Sequence, residues 1–349
     1  MSPRFLLSNC LFALVFLLSS CEGWLKKNWT SGEQLTLITA KEVKVNGFGT
    51  EFTIIYLDSA GRDMKPAVDS LIQEMAKAAD VNSPSSEVST FNYKDTLFLP
   101  SKELVLWMKK AQKWQVETGG AVEFTEKPLN EIWSFSNSGP KLRDSTDVSF
   151  FLKLTGFQRI TLSDSLLRKP SGMSVNFSKI SEGLILDRIA VLLEKKGISN
   201  YHLKSLKTAL AKGVNEKGEL WKSSLTYLSD NLDNTSAGMI ALENKAISIW
   251  GNEQEFYQRD SLKIGYTLDP RTGFPVNHGL LKATVISNEA ETSDALTDYL
   301  RVSGRGAALR LDSLRSDVQF ILIYHERGGK LKQYVSPSLK PYLSFKVNP

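Results

Sequence analysis

Five strand-like stretches crowd the second half of the chain, at residues 223–228, 245–250, 262–268, 281–287 and 317–324. Several stand too close together for the helical crossovers that parallel strands require, so mixed or antiparallel sheets are expected. Helical patterns fill other parts of the chain. Met64–Ala79 places Val68, Leu71, Ile72, Met75 and Ala79 at helical spacing, and Lys102–Glu117 runs into Gly119-Gly120, a stop signal. Glu182–Lys196 carries Leu186, Ile189, Leu192 and Leu193 on one face and closes at Gly197. A helix at Thr292–Leu300 leads into a second at Gly306–Leu314. Nearer the start, Leu35–Ile38, Val43–Val45 and Phe52–Tyr56 read as strands, the last two joined around an Asn46-Gly47 turn. No repeat of solenoid length intervenes. The expected class is α+β, with sheets packed against helices.

The first 20 residues predict something other than fold. Arg4 precedes the apolar run Leu11–Leu18, and Ser19-Ser20-Cys21 follows, the order of a secretory signal peptide. The run is shorter than the ~20 apolar residues that span a bilayer core. Cys21 resembles the cysteine of a bacterial lipobox, which is lipidated after cleavage in front of it. Residues 1–20 are therefore expected to be a signal peptide, 21–34 a tether and 35–349 the folded domain. The expected location is outside the cytoplasm, facing the periplasm or cell exterior, on a bacterial membrane. Cys10 is the only other cysteine and lies in the segment to be removed, so no disulfide is expected. The rest, about 330 residues, suits one large domain or two closely joined ones at ~100–200 residues each.

The net charge is +5, but basic and acidic residues alternate along the chain, and no basic block interleaves with aromatics. A nucleic-acid partner is not expected. The common catalytic kits are missing too. His202, His278 and His325 stand in no metal-binding spacing, and there is no G-x-S-x-G, Walker A loop or G-x-G-x-x-G.

Four segments carry what chemistry remains. Tyr266-Thr267-Leu268-Asp269-Pro270-Arg271-Thr272-Gly273-Phe274-Pro275 gathers an acid, a base, two prolines and a glycine at a strand end, though an ordinary tight turn uses the same residues. Ser293-Asp294-Ala295-Leu296-Thr297-Asp298 puts two carboxylates at i and i+4 of a helix, a pair suited to a hard cation such as Mg²⁺ or to a solvated face beside Arg301. Asn176-Phe177-Ser178-Lys179-Ile180-Ser181-Glu182-Gly183 sets an acid ahead of a helix, which a cap at Ser181 also explains. Thr118-Gly119-Gly120-Ala121-Val122-Glu123-Phe124-Thr125 follows a helix and precedes Pro128-Leu129 and Trp133.

In this order the segments resemble the ApbE-like FAD:protein FMN transferases, from about Gly49 to Leu311. Gly49-Thr50 is similar to the family's opening motif, and Ser86–Asn92 to its S-x-(I/L)-S-x-(F/L)-N segment. Thr118–Glu123 with Pro128-Leu129 and Trp133 resembles T-G-G-A-F-D…G-P-L…W, and Asn176–Gly183 resembles D-(F/L)-x-x-I-x-(K/E)-G. Asp269–Gly273 reproduces D-P-R-T-G, and Ser293–Leu296 resembles A-D-A-L.

The resemblance implies a Mg²⁺-assisted transfer of FMN from FAD to a Thr or Ser hydroxyl of an acceptor protein, with release of AMP. It implies catalytic roles for Asp269, Arg271 and Tyr266, and FAD contacts from Phe48, Asn82, Ala121, Val122, Glu123, Asn176, Glu182 and Leu268. Metal contacts would come from Asp294, Asp298 and Lys179, the last through its backbone carbonyl. The chain departs from the pattern at several of these places. Tyr266 stands where the family has a His, Asn82 where it has an aromatic, and Glu123 and Asn176 where it has Asp. Leu206-Lys207 replaces a glycine pair, Ile249-Trp250-Gly251 replaces T-S-G, and Asp298 replaces a Thr. A non-catalytic flavin- or protein-binding homologue and an FAD pyrophosphatase are the alternative readings.

Overall fold

The computed structural model describes residues 39–142, 147–228, 235–251, 256–259, 262–326 and 330–343. Its frame is a sheet of eight strands whose spatial order is their sequence order. These are β1 (Ala40–Gly47), β2 (Thr50–Leu57), β3 (Asn200–Lys204), β4 (Thr208–Lys212), β5 (Ala246–Trp250), β6 (Leu280–Ser287), β7 (Gln319–His325) and β8 (Leu331–Val335). Every neighbouring pair is antiparallel. The α+β expectation holds.

Alternation along the strands gives the sheet two apolar faces. Phe52, Ile54 and Tyr56 of β2 enter the larger core, while Ile55 and Leu57 pack toward the other. Phe320 and Leu322 of β7 divide from Ile321 in the same way. The larger core takes in residues from α1 (Lys65–Ala79), α2 (Glu87–Lys94), α3 (Lys102–Glu117), α4 (Ser181–Lys195) and α5 (Ala290–Leu314). Ser86 and Ser101 cap α2 and α3, accepting the backbone N–H groups of Ser89 and Leu104. In the second core, Trp221 and Leu225 of one added strand and Ile240 and Leu242 of its antiparallel partner meet Ala209, Ile247 and Ile286.

α1, α3 and α4 fall within a residue or two of their expected ends, while α2 was not expected as a helix. α5 contains both predicted helices, parted by a kink at Gly304, whose φ of 71° is left-handed. Three local expectations change. The β1–β2 turn is Phe48-Gly49, not Asn46-Gly47, which pair with Glu51 and Thr50 inside the ladder. Both turn residues have positive φ, as a two-residue hairpin twisted to match its strands demands. The strand expected at 262–268 divides into Leu262–Gly265 and Leu268–Asp269, each in its own small hairpin. Ser181 is the first residue of α4 and not its cap; Ile180 holds that position without a side-chain hydrogen bond. Cys21, the expected signal and tether segments, and the strand at Leu35–Ile38 lie outside the described residues.

Candidate active site

The N-terminal halves of α4 and α5 meet over the turn that joins β3 to β4, and four acids gather there. Asp294 and Asp298 lie one helical turn apart on α5 and both are buried, so the solvated-face reading falls. Asp294 accepts the Gly183 N–H through Oδ2 at 3.1 Å, while its Oδ1 lies 2.6 Å from Lys207 Nζ. Asp298 Oδ1 lies 3.0 Å from Arg301 Nε, and its Oδ2 lies 2.8 Å from Lys179 Nζ. Lys179 also reaches Glu126 Oε1 at 2.9 Å, and its side chain is only 6% exposed. Glu182, at the start of α4, accepts the Ser205 hydroxyl and the Lys207 N–H.

Burial and charge divide the two aspartates. Burial pushes Asp294 up to about 6, with Lys207 offsetting part of the cost. Burial also opposes ionisation of Asp298, but Arg301, Lys179 and Lys207 together hold it down at about 2. Lys207 is desolvated, which disfavours its charge, yet Asp294 and Asp298 raise its pKa overall. The cluster is thus a network of paired charges in a low-dielectric setting, where one lost partner is costly.

As folded, these residues do not fit Mg²⁺. The ion takes near-octahedral oxygen ligands at ~2.0–2.1 Å, but each oxygen of the acid pair already faces an N–H or a cationic side chain. Among the described residues no group of three or more His, Cys, Asp or Glu stands where it could hold a metal. Lys179, expected to matter only through its carbonyl, instead sends its side chain into the acid pair.

Direct contacts join the segments singled out in the sequence. Lys179 links Glu126 to Asp298, and the Asn176 N–H donates to the Phe124 carbonyl at 2.8 Å. The Trp133 indole donates to the Gly273 carbonyl at 2.9 Å. Gly120 faces Arg271, whose Cγ would lie 3.6 Å from a Cβ there. Phe48 stacks on Trp107 with centroids 5.3 Å apart, and Trp107 in turn meets Phe177. Asn82 is exposed beside the same hairpin turn, its amide close to Gly49.

Other expected site residues are turned to local work. Arg271 forks onto Asp269 through Nε at 2.8 Å and Nη2 at 2.7 Å, so this pair braces its own turn. Gly273 there has a φ of 76°, and a Cβ would come within 2.6 Å of Val148. Tyr266 stacks on Phe135 and donates its hydroxyl to Asn137 Oδ1 at 3.2 Å. Leu268 packs into a small core with Leu129, Ile132 and Val148. Ala121 and Val122 are fully buried. Glu123 is buried and closes on backbone N–H groups of Phe124, Thr125 and Phe157 and on the Thr125 hydroxyl. Burial raises its pKa against those bonds. Glu126 and Ser205 were not singled out in the sequence. Glu126 directly follows the Thr118–Thr125 block, and that adjacency was the available signal.

A mixed sheet-and-helix scaffold with a buried charge cluster between two helix N-termini defines the class. Residues 48–322 match the model of the ApbE family. The chain belongs to that family. It is 28% identical over 322 residues to the FAD:protein FMN transferase of Vibrio cholerae, covering 87% of this chain and 94% of the relative. The solved flavin transferase ApbE from Vibrio cholerae superimposes with a TM-score of 0.72 at 25% identity, over 87% of this chain and 99% of that one. The apo flavinyl transferase ApbE of Pseudomonas stutzeri gives a TM-score of 0.74 at 20% identity, over 88% of this chain and 98% of that one.

Proposed function

We propose that this chain is an FAD:protein FMN transferase. The hydroxyl oxygen of an acceptor Thr or Ser attacks the FMN-side phosphorus of FAD, and the bond from that phosphorus to the bridging oxygen breaks. AMP leaves with the bridging oxygen, FMN becomes a phosphodiester on the acceptor, and the hydroxyl proton passes to a base or to solvent. Such a transfer is driven mainly by positioning and by neutralising charge on the phosphoryl oxygens. The observation that carries the proposal is the Glu126–Lys179–Asp298 bridge, which ties two of the family-like segments, and the residue that follows Thr118–Thr125, into one charged site. The relatives' names support the same reaction. No step passes through Mg²⁺, because Lys207, Lys179 and Arg301 already neutralise the acid pair that would bind it.

The test mixes the protein with FAD, with and without a Thr-bearing acceptor domain. AMP release and fluorescence of the acceptor in a denaturing gel are followed. Fluorescent acceptor with matching AMP supports transfer. Free FMN plus AMP without acceptor labelling would mean hydrolysis, and neither product would mean a non-catalytic binder.

The proposal includes export and lipidation at Cys21, supported by the order Arg4, Leu11–Leu18, Ser19-Ser20-Cys21. Residues 21–34 would then tether the domain to a membrane. Metabolic labelling with a radioactive fatty acid should mark the wild-type chain, and a label that persists in Cys21→Ala would refute this.

A further inference from the structure

Resting on the transferase reading, we propose that the ammonium of Lys207 is the site's resident cation, standing where a divalent metal would otherwise neutralise Asp294 and the substrate's pyrophosphate. Its position is fixed from both ends. The backbone N–H of Lys207 donates to Glu182 Oε2 at 3.0 Å, and the turn is closed by the Ser205 N–H on the Thr208 carbonyl at 2.8 Å. Leu206 points outward from this turn, while Lys207 folds back to place Nζ 2.6 Å from Asp294 Oδ1.

The three cations at the site are not equivalent. Lys179 is almost fully covered and shared between Glu126 and Asp298, so its charge is consumed within the protein. Arg301 is 26% exposed, but it belongs to the helix of Asp298 and pairs at i, i+3 with that carboxylate, not with Asp294. Lys207 keeps 30% of its side chain exposed while holding a wholly buried carboxylate. It can meet an incoming phosphate without leaving Asp294. An ammonium is a compact point charge with three donors, suited to phosphate oxygens. A dication at Asp294 would sit against that ammonium, and like charges at such range repel strongly in a partly dry site.

The experiment uses the full-length chain in detergent, with FAD and an acceptor domain, in EDTA or in Mg²⁺. AMP release is measured beside calorimetric titration of Mg²⁺ alone. Wild type is expected to release AMP equally in EDTA and Mg²⁺ and to show no Mg²⁺ binding. Lys207→Ala should lose about 100-fold or more in EDTA, the scale of removing one preorganised charge-stabilising donor. It should recover activity with Mg²⁺ and gain Mg²⁺ binding that Asp294→Asn abolishes. Arrest of wild type by EDTA, with Mg²⁺ bound and Lys207→Ala harmless, would overturn the inference.

Absence of AMP in every condition would sink the transferase reading alone, and calorimetry would then decide. Mg²⁺ binding by wild type that is lost in Asp294→Asn overturns the inference, and binding gained only in Lys207→Ala upholds it. Should Lys207→Ala fail to fold, Lys207→Gln and Lys207→Arg replace it. Activity in EDTA kept by Arg and lost by Gln upholds the role of charge, and equal activity in both refutes it.

Discussion

Gly183 and Ala290 touch backbone to backbone: a Cβ on Gly183 would lie 2.3 Å from the Ala290 carbonyl oxygen. That approach brings the first turn of α4 onto the start of α5 and lets the Gly183 N–H reach Asp294. Substitution Gly183→Ala should therefore force the helices apart. Overpacking of this kind costs about 1–3 kcal/mol. A urea melt should show the loss, together with weaker FMN transfer as Asp294 loses its donor. A melt unchanged from wild type would mean that the contact relaxes freely.

Glu123 accepts from three backbone N–H groups and one hydroxyl while almost wholly covered. Its neighbour Thr125 passes the connection on, because Thr125 Oγ1 accepts the Gly156 N–H at 2.8 Å. An amide can keep its oxygen at the Oε1 position, but its NH₂ then stands where Oε2 accepts the Phe157 N–H at 3.2 Å. Glu123→Gln should cost about 1–3 kcal/mol in a denaturant melt. Equal stability would show that the amide finds a rotamer that satisfies the same groups.

Acid should weaken the fold through His202. The ring is buried beside Trp221, and Nε2 lies 3.0 Å from Ser223 Oγ. Burial, helped by Lys204, lowers its pKa from 6.5 to about 4. Between those values the unfolded chain binds the proton and the native one does not. Stability is thus unaffected above pH 6.5 and falls as pH drops toward 4, by up to about 3 kcal/mol. Asp187 slopes the other way: burial raises it to about 7 despite the N–H groups of Ala290 and Glu291, so it favours the native state at lower pH. The informative quantity is therefore the difference between wild type and His202→Gln. That difference should shift with pH between 6.5 and 4 and stay flat above; a constant offset would clear His202.

The architecture was legible in the sequence where burial sets a period. Val68, Ile72 and Met75 marked α1, and the break between Leu300 and Gly306 anticipated the kink at Gly304. The motif-bearing segments were legible as well, and the structure joins them. Less legible were effects that depend on distant chain. The Phe48-Gly49 turn puts a non-glycine residue at positive φ, which local turn preference does not favour over Asn46-Gly47. Glu123 looked like a ligand-facing acid because its distant inward partner, the Phe157 N–H, lies more than thirty residues away. Lys207 looked like a simple loss of a glycine pair. Only its distance to Asp294 gives its charge a purpose.

Tyr266 offers the last test, since it stands where the family has a His. The ring stacks on Phe135 with centroids 5.1 Å apart and sits 6.4 Å from Tyr257, so a planar imidazole can keep the stack. Tyrosine is a weak base near neutral pH, whereas histidine titrates there. If proton removal from the acceptor hydroxyl limits the reaction, Tyr266→His should raise FMN transfer, by about 10²-fold at the low end of general-base effects. The variant's rate should also gain a limb that rises with pH through roughly 6–7, as a base that must be neutral requires. A variant with wild-type rate and an unaltered pH profile would place the base elsewhere, and one that loses activity without losing stability would make the Tyr266 hydroxyl itself a participant.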